Sequence, residues 1–188
     1  PPAIQWQKKW GGSCIDQANC VIRTTDGGYA VAGWSCSNNG DVLSNIWATS
    51  VFWLVKSDSS GNILWEKSFG SGYEEKAYSI VQTSDGGYAI TGSSDGNFTN
   101  SGDVTGHHGT IDFWVVKISS AGIIQWQKSL GGIQNETAYS IIQSTDGGYV
   151  IVGSSASISG DVTGNHGSGD LWVVKLNSSG DSIEWQRT

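Results

Sequence analysis

The segment Ile4-Gln5-Trp6-Gln7-Lys8 returns as Ile63-Leu64-Trp65-Glu66-Lys67, as Ile124-Gln125-Trp126-Gln127-Lys128 and as Ile183-Glu184-Trp185-Gln186-Arg187. Its tryptophans stand 59, 61 and 59 residues apart. Two further landmarks keep the same period. Asp-Gly-Gly-Tyr begins at Asp26, Asp85 and Asp146, and an aromatic run ending in lysine closes at Lys56, Lys117 and Lys175. Three landmarks on one period define an internal repeat, the signature of an architecture built from stacked units.

Each unit reads as four strands. In the third, residues 138–144 form a half-buried strand A, and Asp146-Gly147-Gly148 supplies a hairpin, because Asp-Gly accepts the positive φ of tight β-turns. Residues 149–153 make an apolar strand B. After a Gly/Ser/Asp loop, residues 171–176 form strand C, whose nearly unbroken apolar run predicts cover on both faces. Residues 183–186 form strand D, with Ile and Trp on one side and polar residues on the other.

One such meander buries too little to stand alone, but neighbours can cover each other's apolar faces. The prediction is an all-β fold of β-propeller blades: three four-stranded antiparallel meanders plus one extra N-terminal strand. A continuous β-sandwich competes but gives no reason for a threefold repeat. The units divide the chain into residues 4–12, strand D of a preceding blade; 13–68, blade one; 69–129, blade two; and 130–188, blade three. Three blades are fewer than the four usually needed to close a ring. The expectation is therefore a larger propeller or assembly, completed by other blades of a longer chain or by neighbouring subunits. The chain starts Pro-Pro and has no methionine, so an initiator and any leader are expected outside it.

Taken together, Asp-Gly-Gly-Tyr, the Gly-Asp-Val-Thr-Gly-x-His-Gly loop, the Trp-Val-Val-Lys strand and Gly-x-Ile-x-Trp-Gln-Lys-x-x-Gly-Gly resemble repeats of secreted bacterial surface proteins that often carry a type IX sorting domain. The resemblance covers essentially the whole chain. It implies a propeller-like, extracellular, secreted or cell-surface protein and supplies no catalytic residues. The first repeat departs from it, since Gly40-Asp41-Val42 is followed by Leu43-Ser44-Asn45 without His-Gly.

Composition narrows the function classes. The 188 residues carry a formal net charge of −7, only 14% are charged, and the ten basic residues are scattered. A nucleic-acid binder needs a basic stripe for phosphate contacts, and none is present. No apolar run reaches the 18 residues of a membrane span. Cys14, Cys20 and Cys36 lie in the first fifth of the chain without Cys-x-x-Cys spacing, which fits no zinc motif. One disulfide and one free or externally paired thiol is the natural reading, with the pairing open; three buried reduced thiols are the alternative.

Seven of the ten tryptophans recur once per unit and read as core. Trp10, Trp34 and Trp47 have no counterpart in the other repeats and lie in repeat one beside the cysteines, as a sugar-stacking platform, an interface anchor or a local filler would. The loops at 102–112 and 160–170 hold Asp103, His107, His108 and Asp112, then Asp161, His166 and Asp170. Carboxylates there suit Ca²⁺ and neutral histidine suits a transition metal, although turn capping by Asp and His is the commoner use. Glu74, Glu75 and Glu136 are the acids to weigh for glycoside hydrolysis. No Gly-x-Ser-x-Gly is present, and catalysis is not expected. Sequons stand at Asn97, Asn135 and Asn177. The resulting expectation is a non-enzymatic extracellular adhesion, scaffold or assembly module, a filament being one form of that assembly, without a cofactor. A carbohydrate-binding lectin whose partners are glycans is the alternative, and a polysaccharide hydrolase ranks third.

Overall fold

The computed structural model describes residues 3–47, 49–96 and 101–188. Twelve strands follow in order: β1 (Asp16–Arg23), β2 (Tyr29–Ser35), β3 (Val51–Ser57), β4 (Ile63–Phe69), β5 (Glu75–Gln82), β6 (Tyr88–Asp95), β7 (Ile111–Ile118), β8 (Ile124–Leu130), β9 (Glu136–Gln143), β10 (Tyr149–Ser155), β11 (Asp170–Leu176) and β12 (Ile183–Arg187). Among the described residues there is no helix. The strands form three separate four-stranded antiparallel sheets, β1–β4, β5–β8 and β9–β12, each in sequential order. These are three propeller blades, and among the described residues no strand is traded between units as a sandwich would require.

The Asp-Gly-Gly-Tyr turn follows from two different demands on its glycines. Gly86 has φ +82°, the left-handed region, with open space at its Cβ position. Gly87 has an ordinary φ, but a Cβ there would collide with the Ile118 carbonyl and lie 2.7 Å from Lys117 Nζ. The buried Lys117 reaches under the turn, 2.8 Å from Asp85 Oδ2, and donates to the Ile118 carbonyl at 3.1 Å. Lys56–Asp26 and Lys175–Asp146 repeat the pair at 2.9 Å each. The lysine that ends each aromatic strand therefore ties strand C back to the A–B hairpin of its own blade.

Blades meet face to face. The centre of blade two, with Tyr88, Ile90, Trp114 and Val116, packs on Ala30, Ala32, Phe52 and Leu54 of blade one. Its opposite face, with Ala89, Phe113 and Val115, packs on Ile151, Trp172 and Val174 of blade three. Two ring contacts recur at both junctions. The strand C phenylalanine meets the next blade's tryptophan, Phe52–Trp114 at 4.6 Å and Phe113–Trp172 at 4.7 Å. The strand D tryptophan meets the next blade's tyrosine edge-on, Trp65–Tyr88 at 6.0 Å and Trp126–Tyr149 at 5.3 Å. Such pairs add about 0.5–1.5 kcal/mol beyond the area they bury.

The extra strand expected over residues 4–12 is not formed as a strand, because no strand C lies beside it to supply ladder partners. The segment nonetheless sits where a preceding strand D would. Trp6 meets Tyr29 at 5.8 Å, and Lys8 Nζ donates to Asn62 Oδ1 at 3.2 Å.

Candidate functional site

The Gly-Asp-Val loop joins each blade to the one before it. The amide of Asp103 donates to the Gly70 carbonyl at 2.9 Å, while the Gly70 amide donates to Asp103 Oδ2 at 3.1 Å. Asp41 makes the same two bonds to Gly11, and Asp161 the same two to Gly131. Asp103 and Asp161, read from sequence as metal ligands, each serve as one half of this stitch. Burial raises the Asp103 carboxyl above its ordinary value.

A second acid stands five residues after the first glycine of each stitch. The Gly12 amide donates to Asp16 at 2.8 Å, the Ser71 amide to Glu75 at 3.1 Å and the Gly132 amide to Glu136 at 2.8 Å. Hydroxyls complete the ring: Ser35 and Ser37 on Asp16, Ser71 and Ser94 on Glu75, Ser155 on Glu136. Glu75 is fully buried, and that burial pushes its carboxyl up to about 7. These acids are loop caps, one per blade. Glu74 stands apart at the surface, paired with Lys76 at 2.8 Å.

The histidines separate in register. His107 Nε2 donates to the Ser94 carbonyl at 2.8 Å, and its Nδ1 lies 3.1 Å from the Gly109 carbonyl and 3.2 Å from Asp112 Oδ2. Asn45 bonds the carbonyls of Ser35 and Ser37, and Asn165 those of Ser155 and Ser157. His107 is thus the counterpart of two asparagines, and His166 is the counterpart of His108. His108 lies 3.5 Å from Asp112 and 3.6 Å from Asp161. Asp112 accepts from the His108 amide at 2.6 Å, and Asp170 accepts from the His166 amide at 2.5 Å. A Cβ on Gly131 would meet both Asp112 Oδ1 and Glu136 Oε2, so two buried carboxyls share that glycine. Burial first, with Glu136 adding to it, raises the Asp112 carboxyl. Among the described residues, no three His, Cys, Asp or Glu side chains are arranged to hold a metal ion.

The three tryptophans that looked unmatched do not form one platform. Trp10 has counterparts after all, Phe69 and Leu130, at the end of strand D. It packs on Val42, Trp53 and Val55 as Phe69 packs on Val104, Trp114 and Val116. Trp34 lies on the other side of blade one, with Lys76 Nζ 5.4 Å from its ring centre. Trp47 wedges against Gly72 and Gly102 at the junction with blade two. Cys14 and Cys36 form the disulfide, and Cys20 is a free, half-buried thiol packed on the blade one–two core. Asn135 and Asn177 lie at or near the surface, whereas Asn97 lies outside the described residues.

What remains open is the outer face at each end of the stack. Ile80 and Ile141 are 3% exposed where they meet the preceding blade, yet their counterpart Val21 is 62% exposed. Beside Val21 lies a cavity of about 400 Å³, lined by Val31, Gly33, Trp53, Val55, Trp10 and neighbouring polar residues. At the opposite end Leu171, counterpart of the buried Phe52 and Phe113, is 67% exposed, and Ile142 is 55% exposed. The expectation of further blades or neighbouring subunits implied such faces, but sequence reading named none of their residues. The signal was available, since the first and last units carry the same face residues as the middle one.

No protein-family model matches this chain, and no curated protein does. Among solved structures, a variant of apocarotenoid oxygenase from Synechocystis is similar with a TM-score of 0.46 and 13% identity. The match covers 94% of this chain and 39% of that one.

Proposed function

We propose that this chain is a non-enzymatic, extracellular propeller module that acts by adhesion, scaffolding or assembly, binding through its surfaces and not by turning over a substrate. The observation that supports this most is how the ionisable repeat residues are used. Each stitch aspartate, cap acid and turn aspartate is held by backbone amides, hydroxyls or a buried lysine of the blade framework. Meanwhile exposed apolar side chains lie on both end faces, Val21 on one and Leu171 and Ile142 on the other. Large exposed apolar surface marks interaction sites in soluble proteins.

The Cys14–Cys36 disulfide supports an extracellular setting, since such bonds persist in oxidising compartments. So does the repeat's resemblance to secreted bacterial surface proteins. No helix of the described residues is long and apolar enough to cross a membrane.

The test is a panel of polysaccharides assayed for new reducing ends, run beside a glycan array. No turnover is expected. Turnover that disappears in Glu136→Gln or Glu75→Gln would replace this reading with a hydrolase. Array binding abolished by Trp34→Ala or Trp47→Ala, with folding intact, would replace it with a lectin.

A further inference from the structure

The sequence Ile4-Gln5-Trp6-Gln7-Lys8 is identical, residue for residue, to Ile124-Gln125-Trp126-Gln127-Lys128. The second copy is the core of β8 and pairs along β7. There Gln125 Oε1 accepts from Lys117 Nζ at 2.7 Å, and Gln127 Oε1 accepts from Trp114 Nε1 at 2.8 Å. The first copy is held on blade one through Trp6, Lys8 and Trp10, and its Gly11 is stitched to Asp41. It has no strand beside it. A segment with the sequence of a strand D is thus seated and unpaired, next to a socket over Gly33 and Trp53.

The internal junctions show what fills that socket. At the blade two–three junction Phe113 rests on Gly153, where a Cβ would come within 2.6 Å of its ring, and stacks on Trp172. The chain carries one unpaired side chain of that kind, Leu171, on the outer face of blade three. We infer that a second copy of this chain docks head to tail, with Leu171 of each copy filling the socket over Gly33 and Trp53 of the other. This rests on the assembly reading above and names its partner.

The two copies present two strands for one place. Trp6 and Trp185 are both counterparts of Trp65, so segment 4–8 and β12 of the docking copy address the same edge of β11. Segment 4–8 takes that edge. Gln5 and Gln7 then meet Lys175 and Trp172 of the second copy, as Glu184 and Gln186 do within one chain at 2.9 and 2.8 Å. Every ladder bond lost by β12 is remade, while the faces around Leu171 and Val21 leave water. A head-to-tail contact closes into a ring when its rotation permits. Two copies give six blades, inside the four to eight typical of closed propellers.

Light scattering on size-exclusion fractions of the 188-residue chain, loaded from about 1 to 100 µM, tests this. The expected result is a dimer at about twice the 19.9 kDa chain mass. Leu171→Asp and Val21→Asp alter exposed side chains of the single chain, so circular dichroism should stay unchanged while each weakens the dimer at least ~10-fold, a charge being costly to bury unpaired. Trp6→Ala should weaken it similarly, whereas Trp185→Ala should not. A monomer throughout, an open ladder of larger species, or a dimer indifferent to Leu171→Asp and Val21→Asp overturns the inference. Sensitivity to Trp185→Ala without sensitivity to Trp6→Ala overturns the strand exchange. A monomer that hydrolyses nothing leaves the proposed function standing, and polysaccharide turnover removes that function whatever the mass.

Discussion

Replacing Glu75 by Gln should change how stability depends on pH more than it changes stability itself. Glu75 is fully buried between Ser71 and Ser94, and burial raises its carboxyl from 4.5 to about 7, the nearby Asp95 charge adding to the effect. A carboxyl that binds its proton more tightly when folded stabilises the fold fully below its unfolded value, and loses that contribution as pH rises through its folded value. The window is therefore pH 4.5 to 7. A shift of that size, at 1.36 kcal/mol per unit, corresponds to about 3 kcal/mol of stability lost across the window through this one group.

Glutamine has the shape of the protonated acid and does not titrate. At pH 5 the variant should match the parent within about 1 kcal/mol, since one oxygen still accepts from Ser71. At pH 8 it should be the more stable of the two, by up to about 3 kcal/mol. Urea unfolding at pH 5, 6, 7 and 8 measures this directly, as the midpoint moves while the slope stays constant. Asp112 and Asp103, also raised by burial, preserve part of the parent's slope in the variant. Parallel stability curves for the two proteins from pH 5 to 8 would refute the reasoning, because they would mean that Glu75 is ionised at no cost in the folded state.

Reducing Cys14–Cys36, or replacing both by Ser, opens a loop of sequence separation 22 and should cost about 3 kcal/mol, read as a fall in Tm of roughly 10 °C with and without reductant. Lys117→Met strands the Ile118 carbonyl and Gln125, so a loss of about 1–3 kcal/mol is expected in urea titrations. At the turn, Gly87→Ala should destabilise more than Gly86→Ala: the first forces a clash with the Ile118 carbonyl, the second meets open space and costs about 1–2 kcal/mol of left-handed strain. Equal effects in thermal melts would argue against that division of labour.

The repeat was legible because the residues that build a blade are chemically distinctive and few. A period set by Trp, by Asp-Gly-Gly-Tyr and by a lysine after an apolar run survives the substitution of everything between. Places where one apolar residue replaces another were harder to read. Trp10, Phe69 and Leu130 share one role in the core, but a search for recurring identities sees a lone tryptophan. The double histidine misled in a related way. His107 and His108 are adjacent, and the Gly-Asp-Val-Thr-Gly-x-His-Gly motif already sets His107 against Asn165; the hydrogen bonds to Ser94, Ser35 and Ser155 extend that alignment to Asn45. Burial of the strand-ending lysines was equally hidden, since lysine is a surface residue unless paired, and its partner lies about 30 residues earlier in each blade. The disulfide pairing depended on strand geometry: the Cys36 amide bonds the Ile15 carbonyl, which brings Cys36 beside Cys14 and leaves Cys20 within β1.

Blade one shows why the acidic cluster at the blade two–three junction reads as framework. At the blade one–two junction Val51 stands where Asp112 stands, Asn45 replaces His107 and Ile46 replaces His108. Glu75 packs there on Val51 at Gly70, just as Glu136 packs beside Asp112 at Gly131. The stitch bonds are unchanged: Asp103 to Gly70 in one case and Asp161 to Gly131 in the other, both at 2.8–3.2 Å. One junction geometry therefore holds with an apolar filling and with an ionisable one. A catalytic group needs its partners in a fixed chemical identity, whereas a packing position needs only volume and satisfied hydrogen bonds. The same tolerance applies at the end of the stack, where Leu171 stands in for phenylalanine, and the proposed docking of a second copy relies on it.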